Sequence, residues 1–250
     1  MTALYLSGYQ LNKKNITNYY FITIKKIRMK KFALIVAGGS GTRMKGAIPK
    51  QFLELQNRPV LMHTFDAFYN YDREIKFTLV LPENQMEYWK KLCEKHQFQI
   101  NYKLVAGGET RFHSVKNGLD SIKKDGVVFI HDGVRPLVYA QTIQNCYTTA
   151  VEKGNALPVI PVSESVRYAD DIGNRAVDRS KYFLVQTPQT FQTGIIKKAY
   201  QQDYSDSFTD DASVLEKLGE TINLVDGNRE NIKITYPEDL IIAKSFLFPQ

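Results

Sequence analysis

From Phe32 onward, short apolar runs alternate with amphipathic stretches. Residues 32–37 (FALIVA), 76–81 (KFTLVL), 101–105, 127–130 (VVFI) and 156–160 read as strands. The first of these has no polar position at all, the pattern of a strand covered on both faces. Between the runs lie helical stretches. Pro59 opens one, where its missing N–H costs nothing, and others fall near 83–96 and 139–153. Phe112, Val115, Leu119 and Ile122 recur at helical spacing and predict a further amphipathic helix. Strands alternating with helices predict βαβ units and a mainly parallel sheet. Residues 161–187 break the rhythm: they are polar, mixed in charge and without helical period. They read as an extended arm or hairpin inserted in the fold. Helices resume near 192–202 and 208–218, a strand follows at 221–225, and a last helix begins at Pro237. No repeat or low-complexity tract interrupts residues 29–250, which read as one domain with an inserted arm near 161–187.

Charge changes this picture at one end only. The 250 residues carry a formal charge of +7, yet Lys13, Lys14, Lys25, Lys26, Arg28, Lys30 and Lys31 supply all of it, and residues 1–31 contain no acid. The body is formally neutral. A nucleic-acid binder is expected to carry its excess on the folded surface, so that class loses its main support. Residues 1–28 read as a basic leader, disordered or an upstream extension, with Met29 as the functional start. The stretch 16–24 is only semi-apolar and no small-residue cleavage site follows it, which argues against a secretory signal. No run reaches the length of a membrane helix. Two cysteines, Cys93 and Cys146, make neither a disulfide framework nor a four-ligand zinc site and fit a reducing cytoplasm.

Two loops at strand ends carry unusual chemistry, where open α/β sheets bind ligands. The first runs Ala37-Gly38-Gly39-Ser40-Gly41-Thr42-Arg43-Met44 to Pro49-Lys50-Gln51. Its glycines let backbone N–H groups approach an anion, and Arg43 and Lys50 add fixed positive charge, so it predicts phosphate binding. It has neither the ATPase phosphate-loop spacing nor the dinucleotide G-x-G-x-x-G, since Met44 stands at the last glycine position. The second is His131-Asp132-Gly133-Val134-Arg135-Pro136. Asp132 is suited to a sugar or polyol hydroxyl, to a metal ion, or to capping a turn. Arg135 has the planar fork that takes a phosphate bidentately. His131 reads as a structural hydrogen bonder, and no Ser-His-Asp arrangement is evident.

Together with Gly107-Gly108-Glu109-Thr110-Arg111, Ser114-Val115, Gln186-Thr187-Pro188-Gln189, Thr209-Asp210-Asp211-Ala212-Ser213, Asn231-Ile232-Lys233-Ile234-Thr235 and Pro237-Glu238-Asp239-Leu240, these loops resemble the sugar- and polyol-phosphate nucleotidyltransferases. In that order they resemble, more narrowly, the methylerythritol-phosphate cytidylyltransferases of non-mevalonate isoprenoid synthesis. The resemblance runs from about Lys30 to the C-terminus. It implies a Rossmann-like three-layer α/β sandwich with a mainly parallel mixed sheet, a homodimer joined by an extended β-arm, and Mg²⁺ or another divalent cation. It also implies CMP transfer from CTP to methylerythritol phosphate with release of pyrophosphate.

By the same resemblance, CTP is held by Ala37, Gly38, Gly39, Ser40, Gly41, Arg43, Lys50, Gly107, Gly108, Glu109, Ser114, Asp132 and Gly133. The polyol phosphate is held by Asp132, Arg135, Ser165, Arg179, Thr187 and Lys233. Arg43, Lys50, Arg179 and Lys233 are the implied catalytic residues. The metal rides mainly on the CTP phosphates, with Asp132 its one candidate protein ligand. Partners are small molecules and a second copy of the chain, with no nucleic acid or membrane. Two departures sit where the acceptor is read: Gly133-Val134 where the family commonly has Ala first, and Ser165 where Thr is commoner. The nearest rival is a ribitol-5-phosphate cytidylyltransferase. The rival from another class is a nucleotide- or nucleic-acid-binding protein without catalysis.

Overall fold

A computed structural model describes residues 29–38 and 48–247. The leader 1–28 and the loop residues Gly39, Ser40, Gly41 and Arg43 lie outside the described residues. In chain order the strands are β1 (Lys31–Val36), β2 (Glu54–Leu55), β3 (Arg58–Pro59), β4 (Lys76–Leu81), β5 (Tyr102–Ala106), β6 (Val127–Asp132), β7 (Asn155–Pro161), β8 (Arg167–Asp170), β9 (Gly173–Ala176), β10 (Phe183–Val185), β11 (Gln189–Gln192) and β12 (Leu224–Asp226). The helices are α1 (Val60–Tyr71), α2 (Glu83–Lys95), α3 (Arg111–Ser121), α4 (Ala140–Lys153), α5 (Thr193–Ala199), α6 (Asp211–Glu216) and α7 (Pro237–Leu247).

The uninterrupted apolar strands are explained by the layers around them. Along β1, Ala33 and Ile35 join one core, where they meet Phe77, Leu79, Val127 and Phe129. Phe32, Leu34 and Val36 point the other way and join Val80, Val128 and Ile130. Alternation by two thus feeds two cores at once. Helices α1, α2 and α4 cover the first face with Phe65, Trp89 and Cys146, and α3, α5 and α6 cover the second with Val115, Ile196 and Leu215. Fully burying one such large side chain contributes about 1.5–3 kcal/mol, so both faces are needed to hold the central strands. The result is the expected three-layer α/β sandwich.

β1 pairs in parallel with β4 on one side and β6 on the other, and β5 adds in parallel to β4. The chain therefore moves outward from β1 to β5 and then returns to the far side of β1. This reversal gathers the carboxyl ends of β1, β4, β5 and β6 at one edge, where ligands bind in such sheets.

Three elements differ from the sequence reading. β11 enters antiparallel between β6 and β7, with Thr190 opposite Phe129 and Ala156. Its sequence, Gln-Thr-Phe-Gln, has one large apolar residue and so gives no strand signal, while a helix was expected to start beside it. The helix expected from 208 starts only at Asp211, because Asp210 is its N-cap, accepting from the Ser213 N–H in a capping box. The strand expected at 221–225 is the three-residue β12, parallel to β7. Within 161–187, β8 and β9 form an antiparallel hairpin whose eight residues are all exposed. β10 then returns antiparallel to β7, with Phe183 opposite Pro161.

Candidate functional site

β6 ends on His131 and Asp132, both buried. The strand's carboxyl end thereby carries a carboxylate into the edge where β1, β4 and β5 also end. Three cations converge on it. Lys233 Nζ stands 3.0 Å and Arg135 Nε 3.4 Å from its Oδ2, and Arg111 Nε stands 3.8 Å from its Oδ1. Burial alone would raise the pKa of Asp132, but Lys233, Arg111 and Arg135 outweigh it and hold the carboxyl well below the usual carboxylate range. Asp132 is therefore an anion at every physiological pH. The groups line a cavity of about 310 Å³ together with Thr187, Gln189 and Thr209. A larger space, about 800 Å³ between Lys31, Asp72, Arg73 and Lys124, lies at the amino ends of β1 and β4, away from these groups.

His131 fixes the shape of the loop behind Asp132. Its Nε2 is 2.9 Å from the Arg135 carbonyl oxygen, which can only accept, so the ring proton sits on Nε2. Nδ1 then accepts from the Thr187 hydroxyl at 3.0 Å, and that hydroxyl in turn accepts the Asp132 N–H at 3.1 Å. Burial pushes the imidazole down to about 4, so it stays neutral at pH 7. The structural role expected of His131 agrees with this geometry. Arg135 is tied further by donating from Nη1 to the Asn231 carbonyl at 2.7 Å, which links the loop to the segment that carries Lys233.

A second group of expected residues meets around Ser114. This side chain is buried in the first turn of α3, and its Oγ accepts the Gly108 N–H at 3.0 Å. A Cβ on Gly38 would lie 3.4 Å from that Oγ, and one on Gly107 would lie 3.1 Å from it. At Gly108 a Cβ would overlap the side chain of His113, so the turn accepts no larger residue there. Glu109 is exposed at the same turn. Gly133 is also close-packed, but its added Cβ would meet Ala37 at 2.9 Å and Leu61 at 3.0 Å. The tight approach at Gly133 is thus to the end of β1 and to α1. Ala37 is buried, and its carbonyl accepts the Gln51 side chain at 3.0 Å. That bond anchors the Pro49-Lys50-Gln51 segment beside the same edge, with Lys50 buried.

The remaining expected residues stand apart. Ser165 and Arg179 are exposed on the arm, and Arg179 donates to the Ser163 carbonyl within it. Neither lines the Asp132 cavity. The structure thus brings Asp132, Arg135, Thr187 and Lys233 together, and Gly38, Gly107, Gly108 and Ser114 together, but not the two arm residues.

It also places Arg111, a charge the sequence already suits to a small phosphate, and Gln189, to which the sequence gives no binding role. Arg111 opens α3 and lines the cavity, and its fork is held by the fully buried Asp211 at 2.8 and 2.7 Å. Gln189 bonds both to Asp210 and to the Ala212 N–H, tying β11 to the start of α6. The signal for Arg111 and Asp211 was present in the two motifs that contain them, but a separation of 100 residues gives no sign of their pairing.

Comparison with known proteins adds independent findings. The family model described as "IspD: 2-C-methyl-D-erythritol 4-phosphate cytidylyltransferase" matches residues 32–248. A 2-C-methyl-D-erythritol 4-phosphate cytidylyltransferase of Phocaeicola vulgatus is 53% identical over 216 residues, covering 86% of this chain and 99% of its own. The protein of the same name from Bacteroides thetaiotaomicron is 49% identical over 219 residues, covering 88% and 100%. Among solved structures, the 4-diphosphocytidyl-2C-methyl-D-erythritol synthase of Anaerococcus prevotii superposes with a TM-score of 0.75 at 27% identity, covering 88% of this chain and 96% of that one. The Thermus thermophilus 2-C-methyl-D-erythritol 4-phosphate cytidylyltransferase gives 0.70 at 28% identity, covering 87% and 98%.

Proposed function

Because the chain belongs to the 2-C-methyl-D-erythritol 4-phosphate cytidylyltransferase family, it transfers CMP from CTP to 2-C-methyl-D-erythritol 4-phosphate, and we propose that the Asp132 cluster is where the acceptor is held. The observation that carries this reading is the meeting of Lys233, Arg135 and Arg111 on one buried carboxylate. Three cations in a cavity suit a phosphate, and Asp132 suits the hydroxyls beside it. Gly38, Gly107, Gly108, Glu109 and Ser114 hold the nucleotide on the other side, with Ala37, Asp132 and Gly133 between the two halves. Gly39, Ser40, Gly41, Arg43 and Lys50 complete the triphosphate site.

The chemistry needs no general base. The acceptor phosphate is ionised near neutral pH and attacks the α-phosphorus of CTP; the P–O bond to the β-phosphate breaks and pyrophosphate carries away the electron pair. The barrier lies in bringing anions together, so catalysis is positioning and charge stabilisation. Arg43 and Lys50 stabilise the crowded α-phosphate and the leaving group, while Lys233 and Arg179 aim the acceptor. Neutral His131, with both ring nitrogens engaged, is not a proton acceptor in this scheme.

Mg²⁺ or another divalent cation would be held mainly by the triphosphate, with Asp132 its candidate protein ligand, and would supply charge neutralisation. Of the two cavity carboxylates, Asp132 faces three cations, and Asp210 is engaged by Ser213 and Gln189. Among the described residues no three His, Cys, Asp or Glu side chains cluster as a metal site.

The assembly is read as a homodimer. Tyr182, Phe183, Leu184 and Val185 are all more than two-fifths exposed, and Ile172 at the hairpin tip is 98% exposed. A second copy covering the arm buries these side chains and brings Ser165 and Arg179 to a site. No described helix is long and apolar enough to cross a membrane. Two free cysteines are in keeping with a cytoplasmic enzyme.

The test is pyrophosphate release from CTP with a panel of polyol phosphates. Methylerythritol phosphate is strongly preferred on this reading; equal or better turnover of ribitol 5-phosphate sinks the acceptor assignment.

A further inference from the structure

We propose that Arg111 contacts the acceptor phosphate and that Asp211, supported by Tyr200, is the positioning residue that aims it. This deepens the functional reading above and rests on it.

Arg111 comes from the nucleotide half, since it opens the helix whose first turn carries Ser114, the side chain that accepts the Gly108 N–H. Its guanidinium nevertheless lies in the cavity with Asp132, Arg135 and Lys233. What places it there is Asp211. The two terminal nitrogens of Arg111 donate to the two oxygens of Asp211 at 2.8 and 2.7 Å, a bidentate pair that fixes the guanidinium plane. Asp211 is itself 0% exposed and takes a third bond from the Tyr200 hydroxyl at 2.6 Å. Three bonds from two side chains, Arg111 and Tyr200, leave this carboxylate no freedom to turn.

The consequence is seen on the other edge of Arg111. Its Nε faces Asp132 at 3.8 Å, too long for a hydrogen bond and close enough for attraction. A phosphate entering the cavity meets a donor already oriented at it. Charge supports the same conclusion. Arg111, Arg135 and Lys233 are matched in number by Asp132, Asp210 and Asp211, but Asp210 is turned to Ser213 and Gln189 and Asp211 to Arg111 and Tyr200, so the cations are what the cavity offers an anionic ligand. A lysine in place of Arg111 keeps the charge but cannot hold Asp211 with one edge and the ligand with the other.

The experiment is steady-state pyrophosphate release with CTP and methylerythritol phosphate varied in turn, for the wild type, Asp211→Asn, Tyr200→Phe and Arg111→Lys. Asp211→Asn and Arg111→Lys are expected to raise KM for the acceptor about tenfold or more, while KM for CTP changes by less than about twofold. Tyr200→Phe, which removes one oxygen, shifts the acceptor KM in the same direction by about two- to fivefold. If Asp211→Asn does not fold, the other two variants decide. Unchanged acceptor KM in folded variants overturns the proposal. So does an equal loss towards both substrates, or a loss of kcat that only follows the fraction of folded protein. Failure of the wild type to turn over methylerythritol phosphate would instead count against the functional reading.

Discussion

The cluster around Asp132 and the arm between Pro161 and Phe183 are opposites. In the cluster, Asp132, His131, Thr187 and Asp211 are buried and joined by directed bonds to donors on Arg111, Arg135, Thr187, Tyr200 and Lys233, from five stretches of the chain. In the arm, all eight hairpin residues are exposed, and Phe183, Leu184 and Val185 each leave more than two-fifths of their surface uncovered. One region is finished by folding alone. The other carries apolar surface and two expected acceptor residues that only a second chain would complete. Preorganisation inside one chain supplies electrostatics, whereas in the dimer proposed above residues borrowed across the interface would supply closure.

This contrast can be broken by measurement. Asp132→Ala removes the common partner of three cations, and kcat/KM for the acceptor is expected to fall by about 10²–10³-fold. The melting temperature should fall with it, because cations left facing one another in a cavity cost up to about 3 kcal/mol. An unchanged melting temperature would show that the cluster contributes nothing to the fold.

A second effect comes from His131, whose folded pKa is about 4 against an ordinary 6.5. As pH falls through 6.5, the unfolded chain takes up this proton first, so stability is lost between about pH 6.5 and 4 and is flat above. By pH 5 the loss is about 2 kcal/mol. Thermal melts of the wild type and of His131→Gln check this: the variant should lack the slope in that window, and equal slopes would assign it to other groups.

On the arm, Arg179→Ala is expected to lower kcat/KM by about tenfold while the melting temperature moves by less than about 1 °C, as for an exposed side chain. Leu184→Asp should shift sedimentation towards the monomer and lower activity in parallel at low protein concentration. If it stays dimeric, the arm is not the interface. Smallest of all, a protein beginning at Met29 should keep its activity within about twofold, since the family match begins at residue 32. A larger loss would give residues 1–28 a role in turnover.

Much of the fold was legible because β1, β4 and β6 are buried on both faces and so carry apolar runs, broken in β4 only by the buried Thr78. The motif loops were legible for a related reason: Gly108 is fixed by overlap with His113, and Asp132 stands directly after such a run. What stayed hidden depends on contacts far apart in sequence. β11 is held by Gln189 and Thr190, polar side chains satisfied inside the protein, and so has no apolar signature. Asp211 looked like one acid in an acidic run until Arg111 and Tyr200 were seen to meet it. Gly133 stands in a motif loop, but that an added Cβ there would meet Ala37 and Leu61 shows only in the packing.

The two ends of the arm have a consequence for how such an enzyme can change. The chain leaves β7 at Pro161 and comes back at Phe183, directly opposite on the same strand, and the Val162 N–H reaches the Tyr182 carbonyl at the base. The excursion therefore begins and ends at one clasped point. Residues can be added, lost or replaced beyond that clasp without shifting the register of any central strand, because loop length itself costs little. Ser165 and Arg179 apart, the arm is in effect an exchangeable cassette whose length and sequence are decoupled from the central sheet.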